Sequence, residues 1–287
     1  MKLKGGLGNQ LFQFAFGRAI ANHLRWDLFF DLSYFTINSY LLTPREFKLT
    51  HLSNWKIFGQ ELTSKIGQLE MQKDTFLITD DLPDYSIIGN INNREFRNII
   101  LDGYFQAEFY LLYFKKQIRK EVQLLLASYL NIESLSEIIP EKCESVCIHV
   151  RRGDYLSPRA LKVHGICGKS YYQEAIAIIK IKLNNPRFYI FSDDPISTND
   201  LLFDLVDEST NVSSIINEQF SEHQDLIELS LMTHCKHFII ANSSFSWWGS
   251  YLSDSTSKIV IAPQKWYQDE SLSELSDRIG LKSWIRI

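Results

Sequence analysis

The 287-residue chain lacks a charge surplus of either sign: 30 Lys and Arg stand against 34 Asp and Glu, a net charge of −4. A nucleic-acid partner calls for a clustered basic excess, so none is expected. Paired cysteines are also missing. Cys143, Cys147, Cys167 and Cys235 show no CxxC pair and no finger-like spacing, which points to reduced thiols in a cytoplasmic protein. No apolar run is long enough for a membrane span or a signal peptide, which leaves peripheral association as the one membrane contact to expect. No Asp-x-Asp occurs anywhere, and His149, His164, His223, His234 and His237 have no metal-ligand spacing. Gly5-Gly6-Leu7-Gly8 lacks the third glycine of a dinucleotide fingerprint, which would fall at Leu11, and the Lys-Ser/Thr of a phosphate loop. NAD and ATP are therefore poor candidates.

What is present is a set of three junctions where an apolar run meets a polar cluster. Val146-Cys147-Ile148 leads into His149-Val150-Arg151-Arg152-Gly153-Asp154-Tyr155. Phe188-Tyr189-Ile190-Phe191 leads into Ser192-Asp193-Asp194-Pro195, and Phe238-Ile239-Ile240-Ala241 leads into Asn242-Ser243-Ser244-Phe245-Ser246-Trp247-Trp248. In an open parallel sheet, ligands bind beyond the carboxyl ends of the strands, so three such clusters converge although they are distant in sequence. Two successive guanidinium groups suit phosphate or diphosphate oxygens, because each offers a rigid planar fork of donors. Asp193 and Asp194 suit a helix cap, a divalent metal, or the paired N–H groups of a guanine edge. Asn242 to Ser246 gathers small polar side chains at a helix N-terminus, a natural anion site, while Trp247 and Trp248 are expected in the core.

The length suggests two domains. From about residue 145 onward, strands near 145–150, 187–192, 212–216, 237–241 and 258–262 alternate with helices near 170–183, 196–206, 223–235 and 244–253, the pattern of a doubly wound parallel sheet. The first half opens with a clipped strand at Met1–Lys4, the glycine turn with the amides of Asn9 and Gln10, and a helix from Leu11 to about Leu24. Short strands and turns follow over 27–100, then a long helix from about Ala107 to Leu130. The polar stretch 131–145 is the expected linker, dividing the chain into 1–140 and 141–287.

Gly5-Gly6-Leu7-Gly8-Asn9-Gln10-Leu11-Phe12-Gln13-Phe14-Ala15, the HVRRGDY block at 149–155, Phe191-Ser192-Asp193-Asp194 and the NSSFSWWG block at 242–249 together closely resemble the α-1,2-fucosyltransferases, glycosyltransferase family 11. The resemblance spans residue 5 to about 266. It implies an α/β GT-B-like fold, two Rossmann-type domains facing across a cleft, with the acceptor on the N-terminal side and the donor on the C-terminal side. It further implies that L-fucose moves from GDP-β-L-fucose, with inversion, to the 2-hydroxyl of a galactose-terminated glycan. Carried onto this chain, Arg151 grips the diphosphate with support from Arg152, the turn Asn242, Ser243, Ser244, Phe245, Ser246 holds its oxygens, His149 and Asp193 meet the guanine, and Asn9 with Gln10 reaches the donor from the N-terminal domain. Charge stabilisation by two arginines and a helix N-terminus leaves no need for a metal or other cofactor. Asp154 is the first candidate for a general base, with a dissociative route lacking a strong base as the alternative. A different linkage or acceptor, a metal-dependent transferase using Asp193 and Asp194, and a noncatalytic glycan-binding protein are the rival readings.

Overall fold

A computed structural model describes residues 1–36, 45–52, 56–57, 66–80, 96–129, 136–202, 204–206, 213–214 and 223–287. The chain divides into two compact units, Met1–Leu125 and Leu126–Ile287. The boundary expected near residue 140 lies downstream of that division, and residues 131–135 of the expected linker fall outside the described ones.

In the first unit the chain turns from Met1–Lys4 into helix α1, Leu7–Leu24, which starts a turn earlier than the expected Leu11. Asn9 and Gln10 therefore belong to its first turn. Gly5 makes the turn possible: its φ is +82°, and a Cβ there would lie 2.6 Å from Asn9 Nδ2. Helix α1 is buried on nearly all sides, with Leu11, Phe14, Ala15 and Ala19 fully enclosed. Strand β1, Phe29–Phe30, pairs in parallel with β2, Lys56–Ile57, and β3, Thr75–Thr79, pairs in parallel with β4, Asn98–Asp102. The clipped opening segment joins the two pairs. Lys2 forms a parallel bridge with Asp31, while its N–H donates to the Leu101 carbonyl at 2.9 Å. The strand expected over Met1–Lys4 is reduced to this single bridge and its flanking backbone hydrogen bonds.

The single long helix expected from Ala107 is instead a 3-10 stretch, Glu108–Phe114, followed by α2, Lys115–Ala127. The tighter winding seats Tyr110 against Phe105 and Phe16, at ring-centroid distances of 5.4 and 4.8 Å. Helix α2 is tied to α1 by Arg18, whose Nε–H reaches both oxygens of Glu121 at 3.2 and 3.1 Å.

The second unit is one parallel sheet of six strands: β5 Glu144–Val150, β6 Pro186–Ser192, β7 Ser213–Ser214, β8 His237–Ile239, β9 Val260–Ala262 and β10 Ile285–Arg286. Their order across the sheet is β10-β9-β8-β5-β6-β7. Helices α3 Pro158–Val163, α4 Lys169–Lys182, α5 Pro195–Leu202, α6 Gln224–His234, α7 Ser244–Leu252 and α8 Ser273–Ile279 complete the unit. The alternation expected from the sequence is present; of the strand expected over 212–216, only 213–214 lie within the described residues. Helix α3 carries a start signal that the sequence reading passed over, Ser157 capping Ala160 N–H with proline at the first helical position.

Val146, Ile148, Phe188, Ile190, Ile239 and Ile261 form the sheet's buried face with Tyr172, Ile176 and Ile179 of α4. Truncating Ile148 to alanine should cost about 2–5 kcal/mol. Trp247 and Trp248 are fully buried, edge to face at 5.2 Å, and Trp247 Nε1–H donates to the Ile279 carbonyl. Among the described residues no helix is long and apolar enough to cross a membrane.

Candidate active site

The strand order places the site. From β5 the chain runs outward through β6 and β7, then returns to the other side of β5 with β8, β9 and β10. The topological switch point lies between β5 and β8, the place beyond the strand ends where open parallel sheets bind ligands. Register makes the three motifs level. Val150 stands opposite Ser192 and Ile148 opposite Ile239, so continuing the two ladders aligns Arg151 with Asp193 on one side and with Asn242 on the other.

Arg151 is the centre of the constellation. Its Nη2 donates to Asp154 Oδ1, and its Nη1 lies 3.0 Å from Asp193 Oδ2. Its guanidinium lies over the Tyr155 ring, with Cζ 5.1 Å from the centroid. The side chain is 19% exposed, so a ligand can reach it. The other Asp193 oxygen accepts the Arg152 backbone N–H at 2.8 Å. Asp193 thus secures the turn that carries both arginines, and the helix cap belongs to its neighbour: Asp194 Oδ1 accepts the Ser197 N–H at 3.0 Å. The adjacent carboxylates point to different tasks.

Arg152 is buried, and its guanidinium faces inward, with Nη2 donating to the Cys167 carbonyl at 3.3 Å. Its Nε–H has no partner among the described residues, nor has Nδ1 of the buried His149. Burial, reinforced by the Arg151 charge, pushes the His149 imidazole down to about 3. It is neutral at physiological pH and presents an unsatisfied ring nitrogen beside Phe245, at a ring-centroid distance of 5.7 Å. Tyr172 of α4 donates its hydroxyl to the His149 carbonyl at 3.0 Å and so fixes the strand end.

The NSSFS turn divides into structural and accessible parts. Asn242 Nδ2 donates to the carbonyls of His164, Gly165 and Trp266, and Ser246 Oγ donates to those of Ala241 and Ser243. Ser243 Oγ caps the Phe245 N–H. These three side chains are buried and shape the turn, whereas Ser244 and Phe245 are half-buried at the N-terminus of α7.

In the first unit, Gln10 is fully buried, bonding the carbonyls of Gly5 and Glu46 and the N–H of Lys48. It ties the glycine turn to residues 45–52 and has no exposed surface for a ligand. Asn9 is half-buried, its Oδ1 accepting from Gln106 Nε2 at 2.6 Å. Gly153, Tyr155 and His164 are additions to the residues picked from the sequence. Gly153 had a readable signal, its place between Arg152 and Asp154; His164 had none, since a single histidine carries no pattern.

Among the described residues no three His, Cys, Asp or Glu side chains converge as metal ligands do.

The sequence matches the family described as glycosyl transferase family 11 over residues 2–287. It is 32% identical to an alpha-1,2-colitosyltransferase of Escherichia coli over 298 residues, covering 100% of this chain and 97% of that protein. It is 29% identical to the O-antigen biosynthesis glycosyltransferase WbnK of Escherichia coli over 314 residues, covering 99% of each. Among solved structures it resembles a NodZ alpha-1,6-fucosyltransferase soaked with GDP-fucose, at a TM-score of 0.51 and 14% identity, over 88% of this chain and 90% of that one. That likeness concerns the fold, which is GT-B. With the whole length matched and a parallel-sheet site of the kind described, the chain is a glycosyltransferase and belongs to glycosyl transferase family 11.

Proposed function

We propose that the protein transfers L-fucose from GDP-β-L-fucose to the 2-hydroxyl of a terminal galactose in a glycan, with inversion and without a metal ion. The observation that supports this most is Arg151, level with Asp193 and Asn242 at the switch point and still reachable by a ligand. In transfer, the acceptor oxygen attacks C1 of fucose on the face opposite the diphosphate. The bond from C1 to the phosphate oxygen breaks with its electron pair, and negative charge grows on GDP. The Arg151 fork and the first N–H groups of α7 stabilise that charge, and the buried Arg152 charge adds to the local field.

Arg151 and Arg152 together with Asp154 and Asp193 sum to zero formal charge. A diphosphate therefore takes the place of a carboxylate at Arg151 instead of adding to it. Asp154, released from Nη2, is then a carboxylate beside the reacting centre, which suits it as the base for the 2-hydroxyl proton. Asp193 remains on the Arg152 N–H and keeps the turn in register. His149, neutral and with an unmatched ring nitrogen, suits a polar edge of the guanine. Asn9, held by Gln106, is kept as a donor-binding residue. Asn242, Ser243 and Ser246 support the anion site as its frame. A cytoplasmic location, with any membrane association peripheral, goes with this reading.

Colitose is the second donor sugar to consider, because a relative matched over the whole chain is named for its transfer. The test is incubation with GDP-fucose or GDP-colitose and a panel of galactosides in EDTA, with the linkage assigned by NMR. An α-1,2-fucosylated galactoside is expected. Transfer of colitose alone, another linkage, or a requirement for added metal would contradict the proposal.

A further inference from the structure

The grip on Arg151 extends past its direct partners. Tyr155, over whose ring the guanidinium lies, is stacked on the imidazole of His164, with centroids 4.7 Å apart and planes 14° from parallel. His164 meets the ring of Tyr267 at 5.6 Å. Three separate segments contribute to this column: the turn after β5, the end of α3 and the loop after β9. Backbone contacts fix each of them. Asn242 Nδ2 holds the His164 carbonyl at 2.8 Å, the N–H groups of Gln268 and Asp269 donate to the Val163 carbonyl, and the Tyr155 hydroxyl donates to the Asn242 carbonyl. Gly165, at φ +64°, lets the chain turn directly after the histidine.

We infer that His164 is a positioning residue for Arg151, acting through the ring of Tyr155. Two carboxylates hold two nitrogens of the guanidinium from its rim, and the Tyr155 ring over which the group lies limits how far it can swing. Tyr155 can serve in that way only if its own ring is backed, and the stacked imidazole supplies the backing. Burial and the Arg151 charge hold the His164 imidazole below its ordinary range against the opposing pull of Asp154, so it stacks as an uncharged ring.

The inference rests on Arg151 gripping the donor diphosphate, and the experiment separates the two. GDP affinity by calorimetry and steady-state transfer kinetics are measured on the full chain for His164→Ala, His164→Phe and Tyr155→Leu, with His164→Ala repeated in an Arg151→Ala background. His164→Ala and Tyr155→Leu should each raise the GDP dissociation constant and the donor KM about 5–10-fold, the scale of one lost aromatic or cation-ring contact, with acceptor KM unchanged. His164→Phe should restore donor affinity to within about twofold of the parent. In the Arg151→Ala background the His164 substitution should cost nothing further. A folded His164→Ala protein with parental donor affinity, or an equal loss in the Arg151→Ala background, overturns the inference. If His164→Ala does not fold, Tyr155→Leu decides on the same criteria. Unchanged GDP affinity in Arg151→Ala alone overturns the diphosphate reading itself, and the inference with it.

Discussion

Asp193 holds both arginines of the turn from the neighbouring strand: Oδ2 lies 3.0 Å from Arg151 Nη1, and Oδ1 accepts the Arg152 backbone N–H at 2.8 Å. The register of β5 against β6 puts them side by side, so one carboxylate fixes the direction of a guanidinium and the path of the backbone that carries it.

Asp193→Ala should weaken GDP binding by about tenfold or more while leaving acceptor KM nearly unchanged, since it removes a charged hydrogen-bond partner from each arginine. Asp193→Asn keeps an acceptor for the Arg152 N–H and should lose less. Calorimetry with GDP checks this, and parental affinity in Asp193→Ala would remove Asp193 from the donor site.

Gly153 touches the same carboxylate. A Cβ at Gly153 would lie 2.2 Å from Asp193 Oδ2, so Gly153→Ala should displace the carboxylate from Arg151 or shift the turn that carries it. A loss of kcat/KM on the order of tenfold or more is expected, with a small fall in melting temperature. Parental kinetics would show that the turn can yield without moving Arg151.

Asp154→Asn retains the shape of the side chain and loses its charge. If Asp154 is the base, GDP should bind as well as in the parent or more tightly, while turnover falls at least about a hundredfold. Normal turnover would leave the dissociative route, and weakened GDP binding would make Asp154 a support for Arg151.

Glu228 provides a test by pH. Burial, with the charges of Asp225 and Asp193, raises its carboxyl to about 7, and its hydrogen bond from Gln224 opposes the rise. A carboxyl raised above its unfolded value contributes stability in full below the unfolded pKa, and that contribution is lost as pH rises through the folded one. Relative to the parent, Glu228→Gln should therefore gain stability between pH 4.5 and 7, on the order of 1–2 kcal/mol for a half-buried group. Melting curves at the two pH values read this difference, and a constant difference would contradict it.

Much of the second unit was legible because three central strands were plain apolar runs with a polar cluster at the carboxyl end, and the parallel sheet does the rest by alignment. That logic located Arg151, Asp154, Asp193 and the NSSFS turn together. It could not say which polar atoms face a ligand. Asn242, Ser243, Ser246 and Gln10 look like binding residues in sequence, yet their polar atoms satisfy buried backbone groups, which only the fold reveals. The start of α1 was misjudged because glycines usually argue for a loop, while here Gly6 caps the helix and Gly8 lies inside it. The stacking of Tyr155 on His164 was not legible, because contact between separate segments leaves no spacing to read.

The most direct measurement is transfer of fucose from GDP-fucose to a galactoside by Arg151→Ala, beside the parent and with the fold checked by circular dichroism. Loss of the charge-assisted grip on the departing diphosphate should lower kcat by about 10²–10³, equivalent to about 2.7–4 kcal/mol of transition-state stabilisation. A folded Arg151→Ala protein retaining more than about a tenth of parental kcat would contradict the central claim.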